Sequence, residues 1–374
     1  AFFAYTVVLG MGYTYGQALV VVFISGVFFI VITAIGLREA IIRSIPDAVK
    51  TAITPGIGLF ITIIGLKNAG IVISNPATLV SLVDFSQWKI EGADLALMSS
   101  ALVALAGLVI MGMLHARKVK GSILLGIVAA TLIGIPLGVT HISNLDMNIG
   151  MKFRDFAEVS FMKMDFAGLF SGSNMVETIF TVTMLVISFS LVNMFDSIGT
   201  LLGAAKQSGM IDENGEVIRM KQALMSDAIS TAAGAMVGTS TVTTVVESSA
   251  GIAAGGRTGL TSLVTALMFL GAILFAPIVS IVPAAATAPA LIFVGILMLG
   301  NIRDVDFSDM SNALPAFCTI VFMPFTYSIA NGVAFGLITY CLMKLTTGRR
   351  QDVKVLTLAI SVVFVVRYAF MTLG

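Results

Sequence analysis

Hydrophobic positions run through this chain in long blocks separated by short polar connections. Residues 1–37 carry no charged side chain. Gly10, Gly12 and the stretch from Thr14 to Gln17 divide that block into a short apolar piece and a full span over 17–37. A polar stretch with Arg38, Glu39, Arg43, Asp47 and Lys50 follows, and then a span over about 45–66 that contains Pro46 and Pro55. Residues 67–92 are too polar to cross and read as an interfacial excursion, with Trp88 at the headgroup level. Spans resume at 93–114 and 122–139. The basic loop between them, with Arg117, Lys118 and Lys120, belongs in the cytoplasm by the positive-inside tendency. Residues 141–174 form the longest polar connection and are expected outside the membrane. Further spans are expected at 175–203, 221–237 and 258–282, with a broken region over 238–256. Pro283 and Pro289 open the next span, through Gly300. Residues 313–327, interrupted by Pro315 and Pro324, read as half-helical, and 328–345 and 355–370 complete the pattern.

Composition turns this pattern into a fold class. Of 374 residues, 57% are hydrophobic and 11% charged, with a mean hydropathy of +1.03. That excludes a soluble globular chain and predicts an all-α polytopic membrane protein whose main partner is the lipid bilayer. At about 20 apolar residues per crossing, the length accommodates roughly a dozen spans. A net charge of +1 without a basic block gives no footprint for nucleic acid. Cys318 and Cys341 lie in apolar stretches, and His115 and His141 stand far apart, so no disulfide framework, metal site or cofactor is expected. The first residues are apolar with no charged region before them. This is not the pattern of a signal peptide, and the expectation is a chain entered inside a membrane segment, its N-terminal part missing.

One internal echo is visible. The run SIPDAVKTAITPGIGLFITIIGLKN from Ser44 parallels SIVPAAATAPALIFVGILMLGN from Ser280, each with two prolines and an aliphatic run ending in Gly and Asn. Weak repeats of interrupted apolar segments are the mark of secondary transporters. An inverted repeat that places Arg117 to Lys120 inside would place Arg349, Arg350 and Lys354 outside. Either 313–327 crosses once more or those charges lie on the unusual side.

Two carboxylates stand alone inside spans. Between Glu177 and Lys206 the only charge is Asp196, and between Asp227 and Arg257 the only charge is Glu247. A charged side chain at the bilayer centre costs about 2.5–3.5 kcal/mol on insertion scales. Neither segment offers a cation, so an internal cavity, protonation or a hydrogen-bonding ligand must compensate. Ahead of Glu247, Thr239, Thr241, Val242, Thr243, Thr244, Val245 and Val246 are β-branched almost without a break, and the chain then turns small and polar. This favours an extended segment that switches to a helix near Glu247, the kind of irregular backbone tolerated at membrane depth where it lines a cavity. A capping box from Thr244 to Glu247 is the plain alternative for the glutamate. For Asp196 it is a buried aspartate paired with Ser197, Thr200 or a backbone group.

At these residues a resemblance enters. AFFAYTVVLGMGYT, MFDSIGTLLGAAKQSGM, GTSTVTTVVESSAGIAAGGRTGLTS and NALPAFCTIVFMPFTYSIANGVAFG closely resemble the AzgA-like purine permeases, a branch of the xanthine/uracil permease superfamily. The resemblance implies a 7+7 inverted-repeat transporter fold of core and gate domains, with short strands in the third and tenth spans, and a chain that begins inside the third span. Residues 1–37 would then be core spans (the third in part and the fourth), and 38–139 gate spans five to seven with the interfacial segment 67–92. Residues 140–174 would be an extramembranous loop, 175–282 core spans eight to eleven, and 283–374 gate spans twelve to fourteen.

The same resemblance implies that Asp196 in the eighth span and Glu247 after the tenth-span strand hold a purine nucleobase, with Thr244, Val246 and Ser248 around Glu247. Phe3 or Phe2 would stack on the base. Where the uracil branch has Glu-x-x-Gly-His, this chain reads Asp196-Ser197-Ile198-Gly199-Thr200, which leaves Asp196 and Glu247 as the two candidates for the coupled proton. An uncharged planar base suits spans without arginine, whereas phosphorylated nucleotides would require cationic partners. The expected activity is therefore not enzymatic but proton-coupled import of hypoxanthine, guanine or adenine through the plasma membrane. The core would move against a gate hinged at Pro46, Pro55, Pro283 and Pro289, and a homodimer is compatible with the resemblance. An anion carrier or channel of the related sulfate-permease-like fold is the alternative. An intramembrane enzyme or energy-coupling subunit would require paired histidines, metal ligands or lysine-rich chains within spans, and the sequence has none.

Overall fold

The computed structural model describes residues 3, 7–9, 11–86, 95–142, 154, 156–171, 175–213, 217–245, 248–274 and 281–373. The chain is mostly helical. Among the described residues, five helices are long and apolar enough to cross a membrane, and several shorter apolar helices accompany them. Helix α1 (Tyr15–Ala34) starts where Thr14 and Gln17 close a reciprocal capping box, which satisfies the first N–H groups and explains why the apolar run becomes helical there. The polar stretch that follows is the short helix α2 (Leu37–Ser44). Helix α3 (Asp47–Asn68) begins directly after Pro46 and contains Pro55. The described part of the expected interfacial segment 67–92 contains a two-stranded antiparallel hairpin, β1 (Val72–Asn75) and β2 (Leu79–Leu82), with Val72 opposite Leu82.

The other helices are α4 (Leu95–Ala116), α5 (Ser122–Gly134), the short α6 (Phe166–Phe170), α7 (Met175–Ser208), α8 (Met220–Val237), α9 (Ser248–Ala253), α10 (Gly259–Leu274), α11 (Ala284–Leu299), α12 (Met310–Phe325), α13 (Ile329–Thr346) and α14 (Val355–Leu373). With 34 residues, α7 is about 51 Å long, well beyond one bilayer crossing. Between α8 and α9 the described residues 239–245 are neither helix nor paired strand. The half-helix expected at 313–327 is instead one continuous 16-residue helix, α12. Pro315 is its sixth residue and Pro324 its last but one, so each removes one ladder N–H without ending the helix.

The chain forms two compact units. The first comprises residues 1–54, 150–246 and 303–374, the second residues 55–149 and 247–302. In the first, α1 packs on α8 and α7, and α13 packs on α12, α14 and α7. Close approach is built on glycines. A Cβ on Gly26 of α1 would meet the Ala232 backbone of α8 at 2.7 Å, and Gly332 and Gly336 of α13 lie directly on Met323 and Thr319 of α12. In the second unit α11 packs on α4 and α5. Gly107 of α4 sits under Pro289, and Gly58 and Gly295 bring α3 and α11 backbone to backbone. The hairpin base joins its own core there through Ile71, Val83, Met98, Ala101 and Ala288.

Candidate functional site

The expected site residues distribute as follows. Asp196 lies on α7; its side chain, like Phe2, Val246 and Glu247, lies outside the described residues. Phe3 is half-buried, meets Tyr15 edge to face at 5.9 Å and packs against a core of Val20, Val186, Phe189 and Ala235 drawn from α1, α7 and α8. Thr244 is half-buried at the end of the non-helical segment, and Ser248 is the exposed first residue of α9. Pro46 and Pro55 open and interrupt α3, and the division between the two units falls at Pro55. Pro283 caps α11 and Pro289 is buried inside it. A cavity of about 300 Å³ lined by Pro46, Asp47, Lys50, Tyr340, Asp352 and Lys354 includes one of these prolines and neither candidate carboxylate.

What ties the described part of the site together is a buried ion pair. Arg38 of α2 donates to Asp227 of α8 at 2.8 Å and to the Leu224 carbonyl at 3.1 Å, and its guanidinium stands 4.4 Å from the Phe29 ring centre. Arg38 is fully buried and Asp227 nearly so. The same carboxylate accepts from the Ser197 hydroxyl of α7 at 3.0 Å, and the backbone N–H of Thr244 lies near enough to interact with its charge. Ser197 adjoins Asp196, so the stretch of α7 carrying that acid and the segment leading to Glu247 meet on one carboxylate. Chemically, this is a charge-neutral scaffold under a polar stripe of α7. On that stripe Ser190 pairs with Ser25 at 3.0 Å, and the carboxamide of buried Asn193 has no hydrogen-bond partner among the described residues.

Sequence reasoning passed over both members of the pair. Arg38 looks like part of a solvated connection, and Asp227 looks like the boundary of an uncharged stretch. The available signal was that Asp227 is itself the lone acid inside the apolar span 221–237. An acid in that place requires a partner as much as Asp196 does.

Comparison with known proteins gives this scaffold a context. The xanthine/uracil permease profile, described as a permease family, matches residues 1–335. This chain belongs to that family. As a permease it is an integral membrane transporter and not an enzyme. Among its relatives, the adenine permease AdeP of Escherichia coli K12 is 38% identical over 370 residues, covering 99% of this chain and 78% of the relative. The guanine/hypoxanthine permease PbuO of Bacillus subtilis 168 is 36% identical over 367 residues, covering 95% and 78%. The putative permease MJ0326 of Methanocaldococcus jannaschii is 40% identical over 355 residues, covering 95% and 76%. The transmembrane domain of a cyanobacterial bicarbonate transporter, BicA, superposes on the permease with a TM-score of 0.55 at 17% identity, over 90% of this chain and 80% of that one. At that identity the likeness concerns the fold alone.

Proposed function

We propose that this permease imports purine nucleobases, namely hypoxanthine, guanine or adenine, across the cytoplasmic membrane by proton symport. The observation that carries the reading is near full-length similarity to permeases named for adenine and for guanine/hypoxanthine. Two carboxylates isolated in apolar sequence agree with it, because a neutral base with N–H donors is a ligand that such acids can hold without a cation. In this reading Asp196 and Glu247 hydrogen-bond the base, with Thr244, Val246 and Ser248 around the glutamate and Phe3 or Phe2 against the ring. One of the two acids takes the proton. The fold is the 7+7 inverted repeat, with residues 1–37 and 175–282 in the core, residues 38–139 and 283–374 in the gate, and Pro46, Pro55, Pro283 and Pro289 as hinges. The echo between α3 and α11, each with an internal proline, supports the repeat. One proton crossing 100 mV supplies about 2.3 kcal/mol, or roughly 50-fold accumulation. The anion-carrier alternative has only the fold likeness to BicA on its side.

The test is uptake of labelled hypoxanthine, guanine, adenine and uracil by cells lacking their own purine permeases, with and without a protonophore. Purine uptake that collapses with the proton gradient is expected, and Glu247→Gln or Asp196→Asn should abolish it at unchanged membrane levels. Wild-type uptake by both variants would refute the site assignment. No purine uptake from well-inserted protein would refute the substrate class.

A further inference from the structure

We infer that α8 is a splint for the non-helical segment 239–245, and that Thr231 and Asp227 are positioning residues that set the geometry of the substrate site. The functional half of this inference rests on the purine-permease reading above.

Backbone that leaves a helix at membrane depth loses its internal ladder, and its N–H and C=O groups must find partners in the protein. Here they find them along one stripe of α8. Asp227, Thr231 and Gly234 stand at i, i+4 and i+7, on a single face of that helix. The Thr231 hydroxyl donates to the Val242 carbonyl at 3.1 Å, the Thr244 N–H lies near the Asp227 carboxylate, and the Thr239 N–H closes the α8 C-terminus on the Gly234 carbonyl at 2.8 Å, after left-handed Gly238. Gly234 lets the segment lie flat on α8: a Cβ there would come within 2.5 Å of Val242 Cγ2 and 3.1 Å of Thr239 Cγ2.

Thr231 is the informative member. Most helical threonines with a described hydroxyl bond turn it back to a carbonyl three or four residues earlier, as Thr62 does to Gly58, Thr131 to Ile127 and Thr319 to Pro315, whereas Thr357 reaches out to the Ser44 carbonyl at 2.6 Å. The fully buried Thr231 hydroxyl also reaches out, to the irregular segment. Asp227 is held by Arg38 on one side and by Ser197, the neighbour of Asp196, on the other. The splint therefore fixes the segment that leads within three residues of Thr244 to Glu247, and it shares its anchor with the α7 stretch that carries Asp196.

The test compares Thr231→Val, which keeps the shape and removes the hydroxyl, with Thr231→Ser, which keeps the hydroxyl. Asp227→Asn serves as a harsher variant. Two readouts are taken on the full-length permease in lipid nanodiscs and in cells. Hydrogen–deuterium exchange should rise about tenfold or more at 239–245 in Thr231→Val and stay at the wild-type rate in Thr231→Ser. Purine KM should rise about tenfold in Thr231→Val, with maximal rate and membrane level within about twofold of wild type, and return in Thr231→Ser. Unchanged exchange at 239–245 would overturn the splint. Faster exchange with an unchanged purine KM would overturn the positioning role. If the wild type moves no purine, the substrate reading fails, and the splint is still decided by exchange.

Discussion

Two arginine–aspartate pairs in the same compact unit have nearly equal bond lengths and opposite surroundings. Arg38 meets Asp227 at 2.8 Å with side chains 0% and 5% exposed, whereas Arg349 meets Asp309 at 2.6 Å with side chains 53% and 34% exposed. Each aspartate also accepts from a serine hydroxyl, Ser197 in one case and Ser311 in the other. The difference is what else depends on the carboxylate. Asp227 joins α2, α7 and α8 beside the non-helical segment in the buried interior, where an unpaired charge is severely penalised. Asp309 caps α12 by accepting the Ser311 N–H at 2.9 Å, and water can replace Arg349 at any time. Bond length therefore does not rank the two pairs, and burial does.

The largest effect expected from breaking this contrast is at the buried pair. Arg38→Ala or Asp227→Ala should each remove about 3–5 kcal/mol by leaving one buried charge uncompensated, and most of the protein should be lost from the folded, detergent-extractable fraction. The double variant Arg38→Met/Asp227→Leu removes both charges together and should recover more folded protein than either single change. Size-exclusion profiles of tagged variants decide this, and single variants with wild-type profiles would contradict it. Next in size is Gly234→Ala, which places a Cβ on Val242 without touching any charge. Folded protein should survive while purine KM rises several-fold, and an unchanged KM would mean that the segment yields to the extra methyl. At the exposed pair, Arg349→Ala should leave uptake and membrane level within about twofold of wild type.

The same contrast explains which features could be read in the sequence. The long apolar helices α1, α3, α4, α11 and α13 were legible because apolar runs with few or no charges leave few alternatives. Asp196 and Glu247 stand out in the sequence because no other charge lies in their stretches. Residues 239–245 were legible as non-helical from their β-branched run, and the structure agrees. Arg38 was not, because a charge at the end of an uncharged block looks solvated until α2 turns its face toward α8. Asp227 was hidden because it marked the edge of another acid's empty stretch. The hairpin at 72–82 was read only as polar, although Asn75 and Pro76 between Val72-Ile73 and Leu79-Val80 are turn residues between β-formers. The two prolines of α12 suggested a break because sequence does not show that α13 covers that helix with Gly332 and Gly336.

The smallest effect concerns protonation of the exposed pair, and it separates its two supports. The Asp309 carboxyl is held at about 2, below its ordinary 3.8, first by the Ser311 backbone N–H, then by the Ser311 hydroxyl, and only then by Arg349. A carboxyl with a depressed folded value contributes stability that is fully present above 3.8 and is lost as the pH falls toward 2. The clasp therefore stays intact from neutral pH down to about 5, the range in which proton-coupled uptake would be measured. A pH dependence of uptake in that range belongs to other groups. Carboxyl-carbon NMR titration of labelled aspartate in nanodiscs tests the order of the supports. Ser311→Ala abolishes the hydroxyl bond and Arg349→Ala the ion pair, and Ser311→Ala should bring the Asp309 midpoint closer to 3.8. A larger displacement in Arg349→Ala would mean that the exposed guanidinium outweighs the Ser311 hydroxyl at this carboxylate, and the distinction drawn between the two pairs would weaken accordingly.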